Sequence, residues 1–265
     1  MKVFVFGANG MLGNYVSTYL NTFKIIKITR KDYDISSSNA IVLENLLLDK
    51  GLREGDVVIN CAGVIPQSSP SAIKNYYIVN GLFPNIISMI CNYHNVNMIH
   101  ITTDCVFSGE DGNYNENSVH DETNDYGLSK SLGDLANCCI IRTSIIGEEI
   151  ENKKSLLEWV RSNKNGKING YINHVWNGVT CLQLAKVIHR IIDEKKYWKG
   201  PRHIFSNSVS KYELVCMINE IYNLNITIDK LETNKIDKTL STIFDRIEVP
   251  DIYQQLEELQ KFKLL

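Results

Sequence analysis

Tyr126 and Lys130 stand four apart in Tyr126-Gly127-Leu128-Ser129-Lys130, so a helix over this stretch presents both on one face. An ammonium beside a phenol favours the phenolate and brings the phenol pKa down from its usual ~10. Such a phenol is a usable general acid for a developing alkoxide. Thr103, closing the run Ile101-Thr102-Thr103-Asp104, offers a second hydroxyl to the same substrate oxygen. A bare Tyr-x-x-x-Lys is an ordinary helix pair. Its meaning comes from what accompanies it.

The companion lies at the other end of the chain. Lys2–Phe6 reads as a strand that runs into Gly7-Ala8-Asn9-Gly10-Met11-Leu12-Gly13 and then a helix. Glycines at this spacing permit a tight turn, close backbone approach to a pyrophosphate, and close packing of helix on strand; the phosphates then meet the helix N-terminus. After the second strand comes Ile28-Thr29-Arg30-Lys31, two cations where a dinucleotide site selective for an unphosphorylated ribose places an acid. Arg30 can fork onto a 2′-phosphate and Lys31 adds a point charge, which points to NADP(H). Asp34 and Ile35 are expected near the adenine. Asn60, Ala62 and Gly63 end the third strand with room for the cofactor, and Thr102, Tyr126 and Lys130 complete its expected contacts.

Positioning these groups requires a sheet whose strand ends converge. Lys2–Phe6, Ile25–Thr29, Val57–Cys61, Met98–Thr102 and Cys139–Arg142 read as strands buried on both faces. Between them Met11–Leu20, Ser38–Leu48, Ala72–Tyr93 and Tyr126–Leu135 read as helices. This alternation predicts an α/β fold: a Rossmann-type, doubly wound parallel sheet over residues 1–147 with right-handed crossovers. Residues 148–265 read mostly as a small C-terminal α/β substrate lobe, with some segments returning to the first domain. Its elements are helices at Ser155–Val160, Cys181–Ile192 and Tyr212–Tyr222 and a brief strand at His203–Phe205.

A formal net charge of −2 gives no electrostatic footprint for nucleic acid or an anionic membrane surface. No run approaches the ~18 apolar residues of a membrane span, and MKVFVFGANG reads as a buried first strand, not a signal peptide. The seven cysteines form no C-x-x-C pair and read as reduced core residues of a cytoplasmic protein. His100 reads as a satisfied core histidine, and His94, His120, His189 and His203 lack metal-ligand spacing, so no metal site is expected. The acidic stretch 110–124 reads as a mobile cover over the substrate.

GANGMLG, NCAG, TTDCVF, YGLSK and IIRTS together resemble the extended short-chain dehydrogenases, and within them the dTDP-4-dehydrorhamnose reductase family, over nearly the whole chain. The resemblance places that family's catalytic Thr, Tyr and Lys on Thr103, Tyr126 and Lys130. It implies NADPH-dependent reduction at C4 of a 4-keto-6-deoxyhexose linked to dTDP or UDP, with Lys130 also holding the nicotinamide ribose. Thr103, Asp104, Val106 and Tyr126, with Trp176 and Asn177 from the lobe, are the expected substrate contacts. The chain departs from the family at Asn173–Thr180, where the usual Gln and Pro are missing. A related 4,6-dehydratase would carry an acid at Cys105, and an epimerase an acid in place of Arg30. A silent regulatory subunit of the same fold would be free to lose Tyr126. Association is left open, a homodimer among the options.

Overall fold

Val3, Phe4, Val5 and Phe6 are at most 1% exposed, so strand β1 (Lys2–Phe6) is covered on both faces. It sits within a six-stranded sheet in a computed structural model that describes residues 1–66, 75–150 and 153–264. The other strands are β2 (Lys24–Ile28), β3 (Val57–Asn60), β4 (Asn97–Thr103), β5 (Cys139–Thr143) and β6 (Gly200–His203). All pair in parallel, in the order β6-β5-β4-β3-β1-β2. Alternate side chains serve opposite faces. Val3, Val5, Val57, Ile59 and Ile99 share one core with helices α1 (Met11–Tyr19) and, from beyond the midpoint of the chain, Cys181–Asp193. Phe4, Phe6, Val58, Met98 and Ile140 share the other with α2 (Ala40–Asp49) and α3 (Phe83–Tyr93).

Strand order reverses between β1 and β3, which opens a crevice at their carboxyl ends. Helix α4 (Asp125–Gly133) follows β4 and packs on the segment Tyr76–Leu82, a π-helical turn leading into α3. Gly133 makes that approach possible, because a Cβ there would lie 2.2 Å from the Asn80 carbonyl oxygen.

Beyond β5 the elements are α5 (Leu156–Ser162), α6 (Cys181–Asp193), α7 (Lys211–Ile221) and α8 (Ile252–Lys261). The parallel pair Lys167–Tyr171 and Thr227–Leu231 lies outside the six-stranded sheet. So does a three-stranded sheet in which Val209–Ser210 and Ile236–Asp237 flank His174–Trp176. Helix α6 packs on α1, and β6 extends the main sheet, so both return from the second half of the chain to the first.

Several sequence expectations change here. The second strand was expected to be buried on both faces, but β2 is an edge with Lys24 and Lys27 exposed, charges that blunt its unpaired side. The strand expected at His203–Phe205 lies at Gly200–His203. In the helix expected over Ala72–Tyr93, residues 72–74 fall outside the described residues and Tyr76–Leu82 is π-helical. Helix α8 is additional.

Candidate active site

The crevice between β1 and β3, about 200 Å³, is lined by Gly7, Gly10, Arg30, Asp34, Ile35, Ala62 and Gly63, together with Tyr33 and Val64. Gly7 has φ +70°, and a Cβ on it would stand 2.8 Å from the Ala62 backbone, so the two strand ends meet only because position 7 is glycine. At Gly13 a Cβ would lie 2.1 Å from the Gly7 carbonyl oxygen, which sets the close seating of α1 on the turn. This cradle fits a pyrophosphate at the start of α1. Asp34 accepts from the Ser36 backbone N–H and hydroxyl; these bonds, with nearby Arg30, hold its carboxyl below the usual range.

Other expected cofactor contacts are placed differently. Lys31 is exposed and outside the crevice lining, and Asn9 is exposed on the loop. Met11 is half-buried, while Leu12 is buried in the core below α1, leaving its backbone alone to face a ligand. Asn60 is fully buried and shapes the loop, its Oδ1 accepting from the Ala62 N–H at 3.1 Å. Thr102 is buried within β4.

Thr103 ends β4 and caps the short 3-10 turn Asp104–Val106. Its hydroxyl accepts from the Cys105 N–H and donates to Asp104 Oδ1, each at 3.1 Å. Tyr126 lies in the first turn of α4, which Asn124 caps through the Gly127 N–H. Its ring meets Tyr76 edge-on, centroids 6.0 Å apart. Burial raises the Tyr126 phenol, with Cys105 and Asp104 adding to the rise, while the Thr103 hydroxyl pulls it down. Lys130 is not among the groups acting most strongly on it, contrary to the expectation from their spacing. The Lys130 ammonium instead reaches the loop after β3, where a Cβ on Gly63 would be 2.9 Å from Nζ. Burial pushes Lys130 down to about 8, against the pull of Asp104's neighbour Cys105 and of Asp134.

Sequence reasoning missed Asn80, which joins the two poles. Its side chain accepts from the Val64 N–H and donates to the Val64 carbonyl, both at 2.9 Å, and donates to Ser129 Oγ on α4. An Asn among apolar residues of a helix was the only signal. His100 is fully buried and half-satisfied: Nδ1 meets Asn60 Nδ2 at 3.2 Å, but Nε2 has no hydrogen-bond partner among the described residues.

A second cleft of about 580 Å³ beside Tyr126 is lined by Tyr76, Cys105, Glu122 and Lys238. The Cys105 thiol, pushed up to about 12 mainly by burial, stays protonated. Asp104 is buried, accepting from Thr103 and from Cys105 Sγ at 3.5 Å. Val106 is not a cleft residue; it is fully buried against Phe107, Tyr114 and Leu240. Asn177 is also committed elsewhere, its amide clamping the Leu240 backbone through two bonds of 2.8 and 2.9 Å. Trp176 is 5% exposed, with Lys211 Nζ 5.0 Å from its ring centre. The expected mobile cover is stitched down. Asn113 and Tyr114 donate to Thr239, Ser241 donates back to Tyr114, and Glu116 accepts from His203, Thr242 and Ile243.

Among the described residues no helix is long and apolar enough to cross a membrane, and no group of His, Cys, Asp and Glu could hold a metal ion. The chain is 31% identical over 153 residues to the probable low-salt glycan biosynthesis reductase Agl14 of Haloferax volcanii, covering 51% of this chain and 48% of that protein. It is 28% identical over 136 residues to the dTDP-4-keto-6-deoxy-D-glucose reductase of Streptomyces niveus, covering 50% and 46%. These matches thus span about half the length of the curated relatives. The dTDP-4-dehydrorhamnose reductase of Bacillus anthracis, solved in complex with NADP, superposes with a TM-score of 0.80 at 20% identity, over 97% of this chain and 98% of that one. Residues 1–236 match the family described as RmlD substrate binding domain. With a Rossmann sheet, a glycine-lined crevice and that match along most of its length, the chain belongs to the RmlD substrate-binding-domain family.

Proposed function

We propose that this protein reduces the C4 ketone of a nucleotide-linked 4-keto-6-deoxyhexose, dTDP- or UDP-linked, using NADPH. The observation that carries the reading is the joining of its two poles. The Gly7–Ala62 crevice and the Thr103–Tyr126–Lys130 group lie at neighbouring strand ends, with Lys130 Nζ against Gly63 between them. NADPH, when bound, supplies the hydride for the carbonyl carbon. Tyr126 then gives its proton to the carbonyl oxygen, so that the ketone becomes an alcohol. Thr103, by turning its hydroxyl away from Asp104 Oδ1, gives a hydrogen bond to the same oxygen. Lys130, as an ammonium against Gly63, holds the nicotinamide ribose. The testing experiment mixes the protein and NADPH with a panel of dTDP- and UDP-linked 4-keto-6-deoxy sugars. The expected result is stoichiometric oxidation of NADPH and a single C4 epimer of the alcohol. No oxidation with any member of the panel would overturn the reading and favour a silent subunit.

Arg30 on the crevice rim supports NADPH over NADH. Arg30→Ser is expected to lower the NADPH/NADH ratio of kcat/KM by roughly 10- to 100-fold, since a hydrogen bond to a charged group contributes ~1.5–3 kcal/mol. Lys31→Gln should change the ratio little, because Lys31 lies outside the crevice lining. An unchanged ratio in Arg30→Ser would make Arg30 a solvated bystander.

Lys130 gives the pH dependence its sign. Its ammonium is the useful form and its pKa is pushed down to about 8. The rate of reduction should therefore hold up to about pH 8 and fall above it as the ammonium loses its proton. A rate that rises through this range, followed by initial velocities at saturating NADPH, would show that neutral Lys130 is the working form.

A further inference from the structure

His100 stands on β4 directly opposite Asn60 on β3, and both side chains are fully buried. Asn60 Nδ2 lies 3.2 Å from His100 Nδ1, while Asn60 Oδ1 accepts from the Ala62 N–H at 3.1 Å. An amide has one donor end and one acceptor end, so the two bonds fix each other. With its oxygen turned to Ala62, Asn60 donates to His100, and Nδ1 must be the bare nitrogen. Burial, with Lys130 adding to it, pushes the His100 pKa down to about 3, so the ring is neutral and its proton sits on Nε2. With the proton on Nδ1 instead, the amide would turn over and set its NH2 against the Ala62 N–H, donor facing donor. The far side of the ring is also fixed, because a Cβ on Gly133 of α4 would lie 3.3 Å from Nε2. A histidine that only fills space does not suit this arrangement. Its Nε2 has no hydrogen-bond partner among the described residues, whereas a leucine would fill the same place with no unmet donor. The nitrogen that is satisfied is the one turned to Asn60.

We propose that His100 is a positioning residue for the cofactor crevice, acting through Asn60 on the turn at Ala62. The inference rests on the reading of that crevice as a nicotinamide-cofactor site. Ala62 lines the crevice, and its backbone stands 2.8 Å from where a Cβ on Gly7 would be, so the turn and the glycine loop touch backbone to backbone. Just before this contact the Cys61 N–H donates to the Phe6 carbonyl at 3.1 Å, and just after it Gly63 meets Lys130 Nζ. A displacement of Ala62 therefore moves one wall of the pyrophosphate cradle. His100, with no exposed surface, reaches the cofactor only through this chain of contacts.

The test compares the wild type with His100→Asn, His100→Gln and His100→Leu. NADP⁺ affinity is measured by calorimetry, and amide hydrogen exchange over residues 61–64 by mass spectrometry on the protein without cofactor. The Asn carbonyl falls where Nδ1 stands, the Gln amide falls one bond further on, toward the place of Nε2, and Leu has no acceptor at all. The expected result is a loss of ~10-fold in NADP⁺ affinity for His100→Leu and His100→Gln, with His100→Asn recovering most of it. Exchange at the Ala62 turn should be faster in the same two variants and close to wild type in His100→Asn. In an Asn60→Leu background, His100→Leu should lower the affinity no further, because the bond it removes is already gone. Wild-type affinity in His100→Leu and His100→Gln overturns the proposal while leaving the cofactor reading standing. Equal losses in His100→Asn and His100→Gln overturn it too, since the volume of the ring and not its Nδ1 acceptor would then be what matters. The Asn and Gln variants decide this even where His100→Leu does not fold. A wild type that binds neither NADP⁺ nor NAD⁺ overturns the cofactor reading, and this inference with it.

Discussion

Tyr126→Phe is expected to lower turnover by ~10²–10⁴-fold, the range for loss of a general acid, with NADPH affinity almost unchanged. The substitution keeps the aromatic ring that packs edge-on against Tyr76 and leaves the Asn124 cap of α4 intact, so the fold should survive. What disappears is the hydroxyl beside Thr103. Burial raises the phenol pKa, so at neutral pH Tyr126 carries its proton and is ready to deliver it. The same burial makes the phenolate expensive after delivery. Lys130, charged below about pH 8, shares α4 with Tyr126 but reaches toward Gly63. Thr103→Val should cost less than Tyr126→Phe, because it removes a hydrogen bond to the oxygen and not the proton source. Single-turnover oxidation of NADPH reads the chemical step directly, and a fluorescence titration reads cofactor binding. Wild-type turnover in Tyr126→Phe would transfer the proton to another donor and sink the assignment.

What could be read from the residues was whatever is local. The glycine turn, the strand that feeds it, and a Tyr and Lys one helical turn apart each need only a short window. Thr103 was visible because it ends an apolar strand. The misplacements share a cause: the deciding partner is far away in the chain. Asn177 looked free to meet a sugar until Leu240 filled both ends of its amide. The stretch 110–124 looked like a loose cover because it is hydrophilic, but its hydrogen bonds run to residues 239–243. Val106 sits beside the site in sequence, yet its side chain turns into a small core with Phe107 and Leu240. Helix α8 is different, since its pattern was available: Ile252, Leu256 and Leu259 recur at i, i+4 and i+7 and are all buried. Its many Gln and Glu residues obscured a narrow apolar stripe.

Arg142 makes the largest stability prediction, although the motif IIRTS drew notice only as part of a resemblance. Its side chain is 1% exposed and forms an ion pair with Asp134 at 2.6 Å, itself 5% exposed. Arg142 Nη1 and Nη2 also donate at 2.8 Å to Nε2 of His203 and of His120. Each imidazole must then carry its proton on Nδ1. His203 Nδ1 accordingly donates to the Ser241 carbonyl, and His120 Nδ1 to Ser131 Oγ on α4. The guanidinium lies over the Phe107 ring, 5.2 Å from its centre. One buried cation thereby ties together the end of α4, the stretch 110–124 and the segment after residue 238. The network is incomplete, because Arg142 Nε and Asp134 Oδ1 have no partner among the described residues. Such a pair contributes little net stability over an apolar replacement, yet breaking it from one side strands a charge. Arg142→Met is therefore expected to destabilise by ~3–5 kcal/mol, a large share of the ~5–15 kcal/mol that holds a typical domain. Asp134→Leu should cost a similar amount, and the double variant clearly less than the sum, because no unpaired charge remains. Urea denaturation of the four proteins measures this cycle. Additive losses would mean that water compensates each charge independently. In that case the ion pair would not be what fixes α4, with Tyr126 and Lys130 on it, against the sheet.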